Sequence, residues 1–227
     1  MNTITEIAEI YKTDKKKSAD HHNYVEIYDN WFGPIKDKVT DFLEIGILKH
    51  PMTNLFPYEG ASLLMWNDFF TNATINGMDI NDHRGMNKHG KDRIKIHLGD
   101  QGDRERLKNL MESDIGKPMD IIIDDGSHWM HHQQISLASL FKYLKPGGIY
   151  VIEDLFSSHP QPPFLPMSSQ LSPDDTLTQD MLHDFVKTKK MVSMFMKEDE
   201  IKYLEENIDK CIIEKARHSE IAFITKK

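Results

Sequence analysis

Two short acidic runs are the parts of this sequence best equipped for chemistry: Asp124-Asp125-Gly126-Ser127-His128 and Glu153-Asp154. Each ends a largely apolar run, residues 119–123 and 149–152, of the kind that forms buried parallel strands. The ends of adjacent parallel strands lie roughly 5 Å apart, so Asp125, Glu153 and Asp154 can meet in one place. Carboxylates without a cysteine partner make a hard oxygen site suited to Mg²⁺, Mn²⁺ or Ca²⁺. His128 follows Asp125 on the loop into the next helix, where an imidazole can serve as a general base at neutral pH. Alone it would read more simply as a capping or surface histidine; the carboxylates beside it favour catalysis.

Further acids fall at the ends of other predicted strands: Glu44, Asp79 and Asp100. Any one of them could merely cap the next helix. As a set they crowd negative charge onto one rim, which a shared polar ligand or a cation would relieve. In a doubly wound sheet that rim is where ligands bind, at the point where strand order reverses.

The elements that must position these residues alternate. Strands are expected near 41–48, 74–80, 93–98, 119–123 and 149–152, with helices over about 62–72, 103–111 and 131–144, the last stopped by Pro146-Gly147-Gly148. Such alternation implies an α/β fold, a Rossmann-like, mainly parallel sheet with helices on both faces. Residues 210–214 and 220–225 alternate around Arg217-His218-Ser219 as an antiparallel hairpin at the sheet edge, after helices over 176–188 and 198–207. Residues 1–40 read as a helical segment, in which Ile4, Ile7, Ala8 and Tyr11, then Tyr24, Ile27, Tyr28 and Trp31, repeat at helical spacing. Those apolar faces could pack within the chain or against another copy, making a homo-oligomer. Residues 41–227 would form the main domain, with the proline- and serine-rich stretch 156–175 as an active-site loop.

Composition narrows the class. Of 227 residues, 28 are Lys or Arg and 36 are Asp or Glu, a net charge of −8, which argues against gripping nucleic acid. The single cysteine, Cys211, excludes an internal disulfide framework and reads as a small buried hydrophobe. No window approaches the ~18 consecutive apolar residues of a membrane span, so the expected location is the cytoplasm. Gly46 follows the first strand without a G-x-G-x-x-G fingerprint, which disfavours NAD and FAD but not a nucleoside lacking a pyrophosphate. His21-His22 and His131-His132 are adjacent pairs that cannot share a helix face, so a histidine-only metal site is not expected from either. Trp66 and the methionines Met191, Met194 and Met196 read as core; Trp129 would sit at the site mouth or simply pack.

Leu43-Glu44-Ile45-Gly46, Gly60-Ala61-Ser62-Leu63 and Met78-Asp79-Ile80 together resemble a class I S-adenosylmethionine-dependent methyltransferase. More narrowly, the two acidic runs, with Pro146-Gly147-Gly148 and Tyr150-Val151-Ile152 before the second, are similar to the metal-dependent sugar O-methyltransferases of macrolide biosynthesis, the mycinamicin and tylosin type. Thr13-Asp14-Lys15, His22-Asn23-Tyr24 and Tyr28 also look like this group. The resemblance spans roughly residues 5–156. It implies a divalent metal, Mg²⁺ before Mn²⁺, on Asp125, Glu153 and Asp154, with His128 taking the proton from a sugar hydroxyl. It implies that Glu44, Gly46, Ser62, Asp79, Asp100, Gln101 and Asp124 surround the methyl donor, with Asp79 on the ribose and Asp100-Gln101 beside the adenine. The acceptor implied is a sugar or glycosylated small molecule, in natural product biosynthesis. Two departures stand out: Ile47-Leu48-Lys49-His50 replace the usual further glycines, and the stretch after Asp154, which includes His159, differs from the family's. Two other readings remain beside it, a catechol-like O-methyltransferase and a non-catalytic nucleoside-binding module of the same fold.

Overall fold

The computed structural model describes residues 3–16, 23–47, 58–158, 176–217 and 219–227. Strand alternation sorts the core into two layers. Along β1 (Asp41–Ile45), Phe42 enters one layer while Leu43 and Ile45 enter the other; along β4 (Met119–Asp124), Ile121 and Ile123 oppose Ile122 in the same way. A strand apolar on both faces belongs in the middle of a sheet covered on both sides.

Among the described residues, that sheet has seven strands in the order β3-β2-β1-β4-β5-β7-β6. β1, β2 (Thr74–Asp79), β3 (Ile94–Leu98), β4 and β5 (Leu144–Ile152) run parallel. β7 (Glu220–Lys226) pairs antiparallel to β5, and β6 (Ile208–Lys215) pairs antiparallel to β7 at the edge. The expected Rossmann-like sheet and its C-terminal hairpin are therefore both present, and the order reverses between β1 and β4.

Helices α1 (Ile4–Tyr11), α2 (Tyr24–Phe32) and α3 (Ala61–Phe69) cover one face. Helices α4 (Arg104–Asn109), α5 (Met130–Leu140), α6 (Thr178–Thr188) and α7 (Glu198–Asn207) cover the other. α1 starts at a capping box in which Thr3 and Glu6 satisfy each other's backbone N–H. Its residues Ile4, Ile7, Ala8 and Tyr11, with Tyr24 and Tyr28 of α2, are buried in the core shared with α3, so these faces pack within the chain.

Local boundaries differ from the pattern in two places. Pro146-Gly147-Gly148 does not lie between helix and strand: β5 begins at Leu144, and these residues form an irregularity in its pairing with β4. α5 stops at Leu140 because a 3₁₀ turn over Phe141–Tyr143 takes the chain straight into β5. α4 is likewise short and passes into a π-helical turn, Leu110–Ile115. Among the described residues, no helix is long and apolar enough to cross a membrane. The active-site loop expected over 156–175 falls almost wholly outside the described residues, as do His21, His22, Lys49, His50, His159 and His218.

Candidate active site

The carboxyl ends of β1, β2 and β4 are tied together just past their last paired residues. Gly46 donates its N–H to the Met78 carbonyl at 2.8 Å, and Asp125 donates to the Ile45 carbonyl at 2.9 Å. Glu153 continues the ladder from β5, donating to the Asp124 carbonyl at 3.0 Å. Gly46 has a φ of +99°, and a Cβ there would lie 2.0 Å from the Asp125 carbonyl oxygen. Only glycine lets β1 turn this close to the Asp125 backbone.

Asp125 and Asp154 face a cavity of about 780 Å³, together with His128, Thr13, Asp14 and Gly46. Ligand atoms of Asp125, His128 and Asp154 all fall within 4.8 Å of one another. His128 Nε2 is 3.7 Å from Asp154 Oδ2. Both residues have left-handed backbones, φ 59° for His128 and 54° for Asp154. Positive φ is uncommon outside glycine and costs free energy, which the surrounding structure sustains here at two residues of one site. The two carboxylates offer hard oxygen ligands that a Mg²⁺ or Mn²⁺ ion fits, with the imidazole close beside them.

Glu153 does not join them in facing the cavity. Its carboxylate turns back into the molecule, where Lys15 Nζ lies 2.9 Å away and the Tyr28 hydroxyl donates to Oε1. Lys15 also donates to Asp125 Oδ2 at 2.5 Å and sits 3.6 Å from Glu44 Oε1. The lysine is only 1% exposed. Burial by itself would lower its pKa, but Asp125, Glu153 and Glu44 reverse that and hold the ammonium well above its usual range. Burial pushes Glu153 and Asp125 up, and takes Glu44 to about 7. Tyr24 donates to Asp154 Oδ1 at 2.5 Å, and burial with the neighbouring carboxylates raises both the Tyr24 and Tyr28 phenols, keeping them protonated donors.

A second cavity of about 230 Å³ adjoins the first, sharing Gly46, Asp79, Asn81 and Gly126 with it and adding Asp100, Gln101 and His132. Asp79 closes β2 with its carboxylate fully oriented: Oδ2 accepts from Ile47 N–H at 2.8 Å and Oδ1 from Asn81 N–H at 2.7 Å. Gln101 spans the gap to β4, donating from Nε2 to Asp124 Oδ1 at 3.0 Å and accepting from Ser127 N–H at 2.7 Å.

Of the residues expected around a methyl donor, Gly46, Ser62, Asp79, Asp100 and Gln101 line the two cavities. Glu44 and Asp124 lie a layer behind. Glu44 accepts from Ser62 Oγ at 2.8 Å and Trp66 Nε1 at 3.2 Å, while Asp124 accepts from Gln101 and Ser136 and is raised by burial. Trp66 and Cys211 are buried as expected, burial pushing the Cys211 thiol up to about 12. Met191 and Met196 are core, but Met194 is exposed. Trp129 packs beside His131 and His132 and does not line either cavity, and the His131-His132 pair joins no metal-capable group among the described residues.

Sequence reasoning missed the inward role of the N-terminal segment. Lys15 and Tyr28 act on the acids through contacts 110 to 138 residues apart in sequence, and an i, i+4 tyrosine pair reads as helix core. It also missed His83, which lines the larger cavity almost fully buried, with Nδ1 2.6 Å from Glu59 and Nε2 3.7 Å from Asp79 Oδ1.

No family model matches the chain. It is 38% identical over 140 residues to the mycinamicin VI 2''-O-methyltransferase of Micromonospora griseorubida, covering 61% of this chain and 33% of that protein. It is 36% identical over 140 residues to the 8-demethyl-8-alpha-L-rhamnosyl tetracenomycin-C 2'-O-methyltransferase of Streptomyces olivaceus, covering 61% and 34%. Among solved structures it resembles MycE, a methyltransferase of the mycinamycin pathway in complex with Mg, SAH and mycinamycin VI, with TM-score 0.76 and 28% identity over 99% of this chain and 54% of that one. An O-methyltransferase from Bacillus cereus in complex with SAH shares the fold at TM-score 0.54 and 10% identity, over 99% and 90% of the two chains. The chain thus spans about a third of the length of these curated relatives and about half of MycE.

Proposed function

We propose that this chain, which has the class I methyltransferase fold and sugar O-methyltransferases as its relatives, transfers a methyl group from S-adenosylmethionine to a sugar hydroxyl with a divalent metal, Mg²⁺ or Mn²⁺. The observation that carries this reading is the meeting of Asp125, His128 and Asp154 on a cavity that also holds Gly46 and Asp79. Asp125 and Asp154 would hold the ion. Glu153 supports them from behind and reaches the ion only if Lys15 or Tyr28 releases it. Gly46, Ser62, Asp79, Asp100 and Gln101 would hold the donor, with Glu44 and Asp124 fixing the strand ends that carry them. The acceptor is a sugar, free or carried on a small molecule such as a polyketide, as in the relatives' names. The proposed setting is cytoplasmic natural product biosynthesis.

When bound, the donor supplies an electrophilic methyl on sulfur and the ion lowers the pKa of the acceptor hydroxyl. The chain's own residues orient and deprotonate. Asp79 aligns ribose hydroxyls through a carboxylate already immobilised by Ile47 and Asn81. His128 Nε2 takes the acceptor proton, and Asp154 stabilises the imidazolium that results. Tyr24 keeps Asp154 turned toward that task.

The test is methyl transfer to glycosylated acceptors with Mg²⁺, then with EDTA, then with Mg²⁺ restored. Loss and recovery of turnover are expected. Full turnover in EDTA would remove the metal from the reading, and no rise in Tm with saturating S-adenosylhomocysteine would remove the donor.

A further inference from the structure

The acidic pocket behind the cavity wall is built like half of a two-cation site. Asp125 belongs to two overlapping groups whose ligand atoms cluster within 4.8 Å: Asp125–His128–Asp154 on the cavity, and Glu44–Asp125–Glu153 inside the protein. Enzymes with paired metals place two ions about 3.5–4 Å apart on shared oxygen ligands. Here the inner position is taken. Lys15 Nζ lies among the three inner carboxylates at 2.5 Å from Asp125, 2.9 Å from Glu153 and 3.6 Å from Glu44.

We propose that Lys15 is a positioning residue that stands in place of a second cation and so restricts the site to one divalent ion, on the Asp125–Asp154 side. The inference rests on the metal reading above for the outer ion only. Three ionised carboxylates packed together repel in a medium that screens poorly, and a positive group at the inner position relieves that repulsion. A lysine there has an effect a metal would not: it donates hydrogen bonds without offering an open coordination position, so no acceptor oxygen can bind on the inner side. It also engages Oδ2 of Asp125, a residue that lines the cavity. The ammonium arrives on the short stretch between α1 and α2, whose Thr13 and Asp14 line the cavity, so the same stretch completes the wall. Tyr28, donating to Glu153 Oε1, holds that carboxylate inward and away from the outer ion.

Counting bound Mn²⁺ by calorimetry, with electron paramagnetic resonance of the loaded protein, tests this directly. Wild type should bind one Mn²⁺ with an isolated-ion spectrum. Lys15→Ala should gain one more per chain, and the two ions, sharing Asp125, should give a spin-coupled spectrum; a merely structural lysine would produce no such gain. No gain over wild type overturns the proposal. A wild type that binds none while Lys15→Ala binds one would overturn the outer metal site and leave the role of Lys15 standing. If Lys15→Ala does not fold, the Lys15→Ala/Glu44→Gln pair carries one buried negative charge fewer and is read by the same count.

Discussion

His128 Nε2 stands 3.7 Å from Asp154 Oδ2, and both residues reach that position through left-handed backbone. The imidazole is thus held beside a carboxylate at the junction of β4 and β5. Replacing His128 with Ala should lower kcat by about 10²–10⁴-fold, the usual worth of a positioned base. Calorimetry with S-adenosylhomocysteine should show donor affinity unchanged within about twofold. Equal loss of donor affinity would show that His128 shapes the donor pocket instead.

Asp79 should matter to the donor and not to the metal. Its carboxylate is pre-oriented by Ile47 and Asn81, so a ribose meets it without reorganisation. A charge-assisted hydrogen bond contributes about 1.5–3 kcal/mol, so Asp79→Ala should weaken donor binding roughly 10- to 100-fold. Mn²⁺ binding, measured in the same protein, should not change.

Gly46→Ala should disturb fold and function together. A Cβ would sit 2.0 Å from the Asp125 carbonyl oxygen, on a backbone with φ of +99°. Strain and overlap should cost at least about 2 kcal/mol, read as a lower urea midpoint, with Mn²⁺ affinity falling because Asp125 must move.

At the opposite end of the sheet Asp41 sets an acid limit. Burial alone would raise its pKa, but hydrogen bonds from Lys117, Lys145 and Thr40 outweigh that and hold it below the usual value. With the folded pKa below the unfolded value of ~3.9, its contribution is present above about pH 4 and lost as pH falls further. Asp68, paired with Lys91, has the same sign. Urea unfolding from pH 7 to 3 should therefore show stability falling at the acid end. Lys145→Met should cost about 1 kcal/mol at pH 7 and flatten that fall.

Much of the fold and of the cavity-facing site follows from local order along the chain. Apolar runs ending in acids predict parallel strands with carboxylates at one rim, because a polar side chain on a short buried strand is accommodated most readily where the strand leaves the core. The motifs around Asp125, His128 and Asp154 lie within a few residues of two neighbouring strand ends, so strand pairing alone brings them together. Strand alternation also places Glu44 on the face of Phe42, toward α3, where Ser62 and Trp66 receive it. What only tertiary structure decided is which acid meets which partner. Glu153 and Asp154 are neighbours in sequence, yet one is turned inward to Lys15 and Tyr28 and the other outward beside His128. Lys15 comes from 110 residues away from Asp125, and in sequence it is one of three consecutive lysines that resemble solvated surface. No local pattern marks which of them is buried, because that choice depends on the summed charge of three carboxylates that meet only once the sheet has formed.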